Sequence, residues 1–471
     1  MRGPTLSRLT CCLVGGAMLL GAGAARAAEG KLEIPYERYT LDNGLEVLLH
    51  QDKRLPLVAV DVWYHVAAFH EPAERTGFAH LFEHMMFQGS AHVGDDKHFA
   101  ILKGIGASSI NGTTSFDRTN YFETVPSNQL ETALWLESDR MGFLLQTLTQ
   151  EKLDNQRGVV QNERRQGVET QPYGIAEEKM WQALFPQPHP YYGMVIGSMD
   201  HLGAASLEDV RSFFRTWYAP SNATVAVAGD FELDQAKQLI EKYFGSLPKA
   251  PKPTPPVVKP VALSQEVTLR HDEQVATLAK VMVGWHTPAF FAEGDATADI
   301  LAATLSSGKA SRLHKRLVRE LQIAQSVSAY QQSMGAQSVF QIEVTARPGV
   351  DPKQLLLEVD AALAKLAEGD VSEAEVKRAL NRYETGFFKQ LQQLGGFGGR
   401  ADTLQVYNHF LGDPGYLAKD VARYRAVTPA MVTAFVKDYL AKDRRVVMIA
   451  EPPAPEAAPG EAPAGKLKGG K

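Results

Sequence analysis

His80 and His84 stand four residues apart in the segment His80-Leu81-Phe82-Glu83-His84. On a helix this spacing places both imidazoles on one face, one turn apart, so both can reach a single metal ion. Glu83 lies three residues from His80 on that face and can accept a proton from a metal-bound water without being a ligand. The order H-x-x-E-H is the inverted form of the commoner H-E-x-x-H zinc motif. The pattern therefore predicts zinc-assisted hydrolysis.

A chance grouping on a solvated helix face is the alternative for these three residues. Six neighbours are apolar, which favours a buried helix: Phe78, Leu81, Phe82, Met85, Met86 and Phe87. Ionisable groups on a buried helix need partners, and a metal ion supplies them. Both cysteines, Cys11 and Cys12, precede residue 28. If that segment is removed, two histidines and one carboxylate remain as a scheme that leaves a zinc position open for water.

The third ligand cannot be derived from spacing. Downstream helical patterns offer five glutamates: Glu131, Glu137, Glu151, Glu163 and Glu169.

The N-terminus predicts secretion. A positive start, the apolar stretch from Leu13 to Ala25 and the small-residue site Ala25-Arg26-Ala27 indicate a signal peptide over residues 1–27 and a periplasmic protein. An uncleaved anchor is the alternative, but the stretch is short for a span. No other apolar run has membrane length, so no span is expected after signal removal. Loss of three arginines would move the formal charge from −5 to −8, which gives no reason to expect nucleic acid as a partner.

Local patterns predict the elements that must position the motif. A helix is expected over 76–87, with Thr76 as its cap and Gly89 just past its end. Strands are predicted within 36–69 and over 119–125, and further helices over 129–145 and 149–167.

The chain also repeats itself. Residues 206–228 and 428–450 share a helix-then-strand pattern in gap-free register, shifted by 222 residues. The common helix-strand grammar of α+β proteins is the alternative to duplication. We predict an α+β fold of two homologous halves, residues 31–248 and 261–450, each an antiparallel sheet packed with helices. A proline-rich linker over 249–260 would join them around a cleft, and residues 451–471 are expected to form a disordered tail.

Four stretches resemble the pitrilysin/insulinase family of zinc metallopeptidases, and by length the closest branch is mitochondrial processing peptidase with its bacterial relatives. Residues 77–90 are similar to the active-site helix, 109–121 to the substrate-binding edge, 159–165 to the third-ligand helix and 189–197 to a later stretch. The resemblance covers most of residues 36–450. It implies one zinc ion held by His80, His84 and Glu163, with Glu83 as the base for a zinc-activated water.

The resemblance also implies that Asn111 and Gly112 lie on an edge strand to which an extended peptide substrate adds by main-chain hydrogen bonds. The residues alone favour a different structure, since Asn-Gly is the commonest hairpin turn. Gln156 stands seven residues before Glu163, where the family usually carries a second glutamate. Its amide can hydrogen-bond but adds no negative charge near the metal.

The C-terminal half departs from the family at two positions. Many active members bind substrate there through an arginine and a following tyrosine, but Arg319 lies one position off and Gln325 replaces the tyrosine. We therefore expect a dimer, specifically a heterodimer with a homologous subunit that lacks zinc, while a homodimer and a monomer stay open. The glycine-rich run 395–399 interrupts a helical stretch. A plain helix break is favoured over the alternatives of a hinge or a substrate-contacting loop, and the run receives no role.

Together these observations predict a periplasmic zinc endopeptidase or oligopeptidase that hydrolyses short or unfolded peptides. The alternative is a non-catalytic structural or binding subunit with the same fold, against which the intact His80, Glu83 and His84 argue. A zinc-storage protein would need a histidine-rich tract, and the sequence has none.

Overall fold

The computed structural model describes residues 32–453. The predicted signal peptide and residues 454–471 of the predicted tail lie outside the described residues. Residue 451 does not belong to a tail as predicted, because it ends a strand in the interior of a sheet.

The first sheet is built from six strands: β1 (Glu37–Thr40), β2 (Glu46–Gln51), β3 (Leu57–Tyr64), β4 (Ser108–Thr114), β5 (Thr119–Pro126) and β6 (Ala223–Gly229). Eight helices accompany it: α1 (Phe78–Met85), α2 (Lys97–Gly104), α3 (Leu130–Phe143), α4 (Gln150–Arg164), α5 (Gly174–Leu184), α6 (Met199–Gly203), α7 (Leu207–Trp217) and α8 (Leu233–Phe244). The strand order is β1-β2-β6-β3-β5-β4, which places β4 at an edge.

The second sheet has five strands: β7 (Val267–Asp272), β8 (Lys280–Thr287), β9 (Ala324–Gln332), β10 (Ser338–Ala346) and β11 (Arg445–Glu451). Its helices are α9 (Asp295–Ser306), α10 (Pro352–Ala367), α11 (Glu373–Gln390), α12 (Arg400–Leu411), α13 (Leu417–Arg425) and α14 (Pro429–Tyr439). The strand order is β7-β11-β8-β10-β9, so β9 is an edge strand here. Residues 249–260 between the sheets contain neither helix nor strand.

The duplication is confirmed in its details. The bounds of α14 and β11 are those of α7 and β6 shifted by 222 residues at both ends. Both strands occupy corresponding places, because β6 lies between β2 and β3 while β11 lies between β7 and β8. The predicted antiparallel sheets need a correction, since β2–β6 and β7–β11 pair in parallel. A long connection of helices and strands separates the partners of each parallel pair, as parallel pairing requires.

The two halves exchange helices. Helix α12 of the second half packs on β3 and β6 of the first sheet, and α5 of the first half packs on β8 and β11 of the second. Gln405 on α12 donates from Nε2 to the carbonyls of Asp61 and Thr224, at 2.9 Å each. Trp181 on α5 shares a buried cluster with Met448. Each sheet is thus covered on one face by its own helices and on the other by a helix of the opposite half.

The local predictions hold for most elements near the motif. The helices predicted over 76–87, 129–145 and 149–167 correspond to α1, α3 and α4, and the strand over 119–125 corresponds to β5. None of the helices within residues 32–453 is long and apolar enough to cross a membrane.

Candidate metal centre

Helix α1 presents the motif and is capped from a distance. Glu71 accepts hydrogen bonds from the backbone N–H of Gly77 at 3.0 Å and of Ala79 at 2.7 Å. These are two of the donors that the first turn of a helix leaves without intrahelical partners. The prediction that Thr76 caps the helix is wrong, since its hydroxyl instead contacts His201 Nδ1 at 2.8 Å. A carboxylate five residues further back reaches the helix end because the chain turns before Gly77.

Two glycines fix the entry to α1. Gly77 has φ +89°, and a Cβ at Gly77 would lie 2.8 Å from Gly197 Cα. A Cβ at Gly197 would lie 2.4 Å from Gly77 Cα. The two backbones approach closely because neither residue has a side chain. The segment before α6 therefore braces the start of the motif helix.

Helix α4 carries Glu163, the expected third ligand. The hydroxyl of Thr149 caps its N-terminus by accepting from Lys152 N at 3.3 Å. At the other end Arg164 donates to the carbonyl of Gly197 at 2.8 Å and pairs with Glu178, also at 2.8 Å. A π-helical turn, Arg165–Glu169, follows at once. These bonds anchor the last turn of α4, where Glu163 lies against α1.

The structure brings His80, His84 and Glu163 together. The two Nε2 atoms lie 3.3 Å apart. Glu163 Oε2 lies 3.4 Å from His84 Nε2 and 3.7 Å from His80 Nε2. The other four candidate glutamates, all within the described residues, are not grouped with these histidines. Burial, with the neighbouring His84, lowers the pKa of His80 to about 4, so its imidazole is neutral and able to offer a lone pair at neutral pH.

Glu83 occupies a separate position beside this trio. The Thr114 hydroxyl donates to Glu83 Oε2 at 2.7 Å. Burial raises the pKa of Glu83 to about 7, although the Thr114 bond and the nearby Arg118 oppose the rise. A carboxylate with a pKa near neutrality can both take up and return a proton.

Thr114 belongs to β4, and this strand decides where Asn111 and Gly112 lie. The hairpin-turn prediction for Asn-Gly is wrong: both residues are within β4 and pair with Phe122 and Tyr121 of β5. Asn111 is exposed and Gly112 is buried. A Cβ at Gly112 would lie 2.8 Å from the ring of Phe87, two residues past the end of α1, so only glycine lets the strand pack this closely there.

The remaining predicted residues lie further out. Gln156 is buried on α4, two turns before Glu163 and on the same helix face. Arg319 is exposed on the π-helical segment His314–Glu320, and within residues 32–453 it makes no hydrogen bond or ion pair to the centre. Gln325 is exposed at the start of β9.

Sequence reasoning missed a second cluster of possible ligands, formed by His98, Glu123 and Glu137. Their ligand atoms lie within 4.8 Å of one another and all three residues are buried. Arg140 already forms an ion pair with Glu137. Burial raises the pKa of Glu123, and the neighbouring Glu137 raises it further. Arginine supplies the positive charge here that a metal ion would otherwise provide, so the cluster is a buried polar network.

A duplicated α+β chain with an H-x-x-E-H helix beside a distant glutamate has the features of one class of protein, the inverted-motif metallopeptidases. Comparison with protein families agrees. Residues 46–189 match the model described as insulinase (peptidase family M16), and residues 204–383 match the model of the peptidase M16 inactive domain. The chain belongs to the insulinase family, peptidase family M16.

Individual relatives cover most of the chain. It is 29% identical to the zinc protease PqqE of Helicobacter pylori over 84% of this chain and 88% of the relative. It is 25% identical to the beta subunit of bovine mitochondrial-processing peptidase over 78% and 74% of the two chains. A crystal structure of a protease from H. pylori covers 89% of this chain and 100% of that one with a TM-score of 0.82 and 25% identity. The periplasmic protease PqqL of Escherichia coli, at 18% identity, has the same fold over 52% of its length with a TM-score of 0.71.

Proposed function

We propose that this chain is a zinc-dependent endopeptidase or oligopeptidase that hydrolyses short or unfolded peptides. The observation that carries the proposal is the convergence of His80 Nε2, His84 Nε2 and Glu163 Oε2 at separations of 3.3–3.7 Å. Ligand atoms bound tetrahedrally to zinc at ~2.0–2.1 Å lie ~3.4 Å from one another. The residues present therefore fit one zinc ion, and three protein ligands leave a fourth position open.

A zinc ion held there would supply a Lewis acid that makes water nucleophilic and polarises the scissile carbonyl. Glu83 is the general base in this proposal. Its Oε1 is free of the Thr114 bond, which holds Oε2, and it accepts the proton of the attacking water. The protonated carboxyl then returns this proton to the amine of the leaving fragment.

Substrate binding is assigned to the open edge of β4. An extended peptide adds to a sheet edge by main-chain hydrogen bonds, so the recognised segment must be unfolded. Asn111 and Gly112 lie on this edge three and two residues before Thr114, the hydrogen-bond partner of Glu83. A peptide bound along this edge of β4 would pass Glu83, the proposed base. The conformation demanded by strand addition favours short or unfolded peptides over folded proteins.

A partner subunit is the second part of the proposal. Arg319 is exposed and, within residues 32–453, makes no hydrogen bond or ion pair to the centre. Gln325 stands where the family resemblance leads us to expect a tyrosine. The E. coli periplasmic protease PqqL contains about twice the length of this fold in one chain. We infer that a homologous subunit without zinc completes the substrate site in a heterodimer. The predicted signal peptide and the name of that relative support a periplasmic location.

The proposal is tested by peptide cleavage with the purified mature chain, alone and mixed with a candidate partner subunit. Activity should disappear on removal of metal by a chelator and return with zinc. It should be low for the chain alone and rise with the partner. Full activity as a monomer or homodimer would contradict the heterodimer. If zinc binds but no peptide is cleaved in any mixture, the chain is a non-catalytic subunit that retains the fold.

A further inference from the structure

The glycine-rich loop of residues 395–399 has a defined structure. Its backbone is closed by hydrogen bonds from Gly399 N to Gly396 O at 3.0 Å and from Arg400 N to Gln393 O at 3.1 Å. Gly398 N donates to Asp402 at 2.8 Å. Gly396 has φ +76° and Gly398 has φ +69°, backbone conformations that favour glycine. The prediction of a plain interruption between helices therefore understates this loop.

The loop of the second half lies against the first sheet. A Cβ at Gly395 would lie 2.7 Å from the Ala59 side chain and 2.8 Å from Thr124 Oγ1. A Cβ at Gly396 would lie 3.8 Å from the Ser109 side chain, near the start of β4. The loop thus reaches the sheet margin at which we place the substrate.

Phe397 carries the only side chain beyond hydrogen among residues 395–399. Its ring packs edge-to-face on Phe122 of β5, with ring centroids 5.2 Å apart. Half of Phe397 (50%) stays exposed, while Phe122 is buried. The other four positions are glycines that close the turn or fit against the sheet. Their common result is to hold one aromatic ring beside the sheet edge.

The strand register shows on which face of the sheet the Phe397 ring lies. Asn111 pairs with Phe122, and residues directly opposite each other in an antiparallel pair share a face. Thr114, which bonds Glu83, is three positions further along β4 and therefore on the other face. A peptide added beside β4 would alternate its side chains between the face of α1 and the face of Phe397.

We propose that Phe397 and Phe122 form a subsite for an apolar substrate side chain, an aliphatic or aromatic one, on the sheet face opposite α1. The subsite lies about three residues, or ~10 Å, along the strand from the position beside Thr114. This inference rests on the proposed peptidase function and names the substrate class: extended peptides with an apolar residue at this one position. Phe397 is a specificity-determining residue and takes no part in the chemistry.

The test separates binding from cleavage. Labelled alanine–serine peptides, each with one leucine or one aspartate at successive positions, are titrated into the Glu83→Gln protein, assembled with its partner if one is required. Leucine should strengthen binding over aspartate by roughly ten- to a hundredfold at the position that reaches Phe397. Adding Phe397→Ala should remove this preference, Phe397→Tyr should keep it, and Phe397→Lys should favour aspartate. Leu357→Ala, at a 66% exposed site on α10, is the matched control.

The outcomes distinguish this inference from the proposed function. If the chain with intact Glu83 cleaves peptides but Phe397→Ala leaves the preference for leucine unchanged, the subsite is wrong and the peptidase stands. If no peptide is cleaved but binding still depends on Phe397, the peptidase proposal fails and the subsite stands. An equal loss of binding at every peptide position, or no peptide binding at all, overturns the inference.

Discussion

Glu83 and the three proposed ligands are held by two different kinds of contact. His80, His84 and Glu163 direct ligand atoms at one point, whereas Glu83 is held at one oxygen by Thr114. This bond fixes the orientation of Glu83, the proposed base, and leaves its second oxygen available. Orientation matters because a base displaced by a fraction of an ångström no longer lies within hydrogen-bond reach of the attacking water.

Thr114→Val tests this role. The substitution keeps the shape of the side chain but removes a hydrogen bond to a charged group, which is worth about 1.5–3 kcal/mol. We expect kcat to fall roughly tenfold or more with zinc content unchanged. Thr113→Val is the control, because the Thr113 hydroxyl donates to Asn120 rather than to the base. Equal kcat values for the two variants would show that Thr114 does not position Glu83.

Among the contacts between individual site residues, the sequence alone predicts those that are local along the chain. The one-turn spacing of His80 and His84 predicts that their imidazoles converge, and the structure shows it. Spacing could not select Glu163, since its approach to α1 depends on packing between two distant helices. Glu71 and Thr114 were missed because their partners are backbone or side-chain groups brought close only by the fold.

Helix α1 depends on the Glu71 cap at the scale of the element. Glu71→Ala leaves the N–H groups of Gly77 and Ala79 without their acceptor, and we expect a loss of about 1–2 kcal/mol in the free energy of unfolding. Zinc affinity should fall as well, since α1 carries two of the three proposed ligands. Glu71→Gln retains one acceptor oxygen and should lose less. Thermal unfolding and zinc titration check both effects; an unchanged stability of Glu71→Ala would contradict the capping role.

The packing of α9 on α13 gives a pH-dependent prediction. Burial raises the pKa of Asp299 to about 7, although the Tyr424 hydroxyl donates to it at 2.7 Å. Between the unfolded-state pKa of about 3.9 and this value the folded chain keeps a proton that the unfolded chain releases, so stability falls as pH rises. The Asp299→Asn variant has no titratable group at this position, so it does not show this loss of stability. The melting temperature of Asp299→Asn relative to that of the parent chain should rise by roughly 2–4 °C or more from pH 4 to pH 7 and then level off. A difference in melting temperature that does not change with pH would contradict this prediction.

Elements with a strong periodic pattern were predicted well, and those shaped by neighbours were not. Helices α1, α3 and α4 follow from their apolar spacing. Asn111-Gly112 looked like a turn, because the pair is the commonest hairpin signal. It is a strand because Gly112 must pass close to Phe87 and Tyr121. Tertiary packing overrode local preference there.

At the scale of the whole molecule, the exchange of α5 and α12 makes the two halves depend on each other. Residues 31–260 expressed alone would expose the sheet face that α12 covers, including the carbonyls of Asp61 and Thr224. We expect this fragment to aggregate, and to become soluble when residues 261–453 are co-expressed and purified with it. A monomeric first half with cooperative unfolding would contradict this dependence.

The repeat could be predicted from the sequence, but the exchange of helices could not. Residues 206–228 and 428–450 still align without gaps, and this alignment shows the shift of 222 residues. Which sheet α5 or α12 covers depends on side chains about a hundred or more residues away, as Gln405 shows by bonding Asp61. The parallel strand pairs also escaped prediction, because pairing partners leave no local pattern.

Zinc content measured together with peptide turnover, for the parent chain, Glu83→Gln and Glu163→Gln, is the most direct test of the proposed zinc site. The parent should bind one zinc ion and cleave peptide in its active assembly. Glu83→Gln should keep the metal and lose turnover by about 10²–10⁴-fold, since its amide cannot accept the proton. Glu163→Gln should lose most of its zinc, because a carboxylate ligand is replaced. Normal turnover in Glu83→Gln, or full zinc content in Glu163→Gln, would contradict the assignment of base and third ligand.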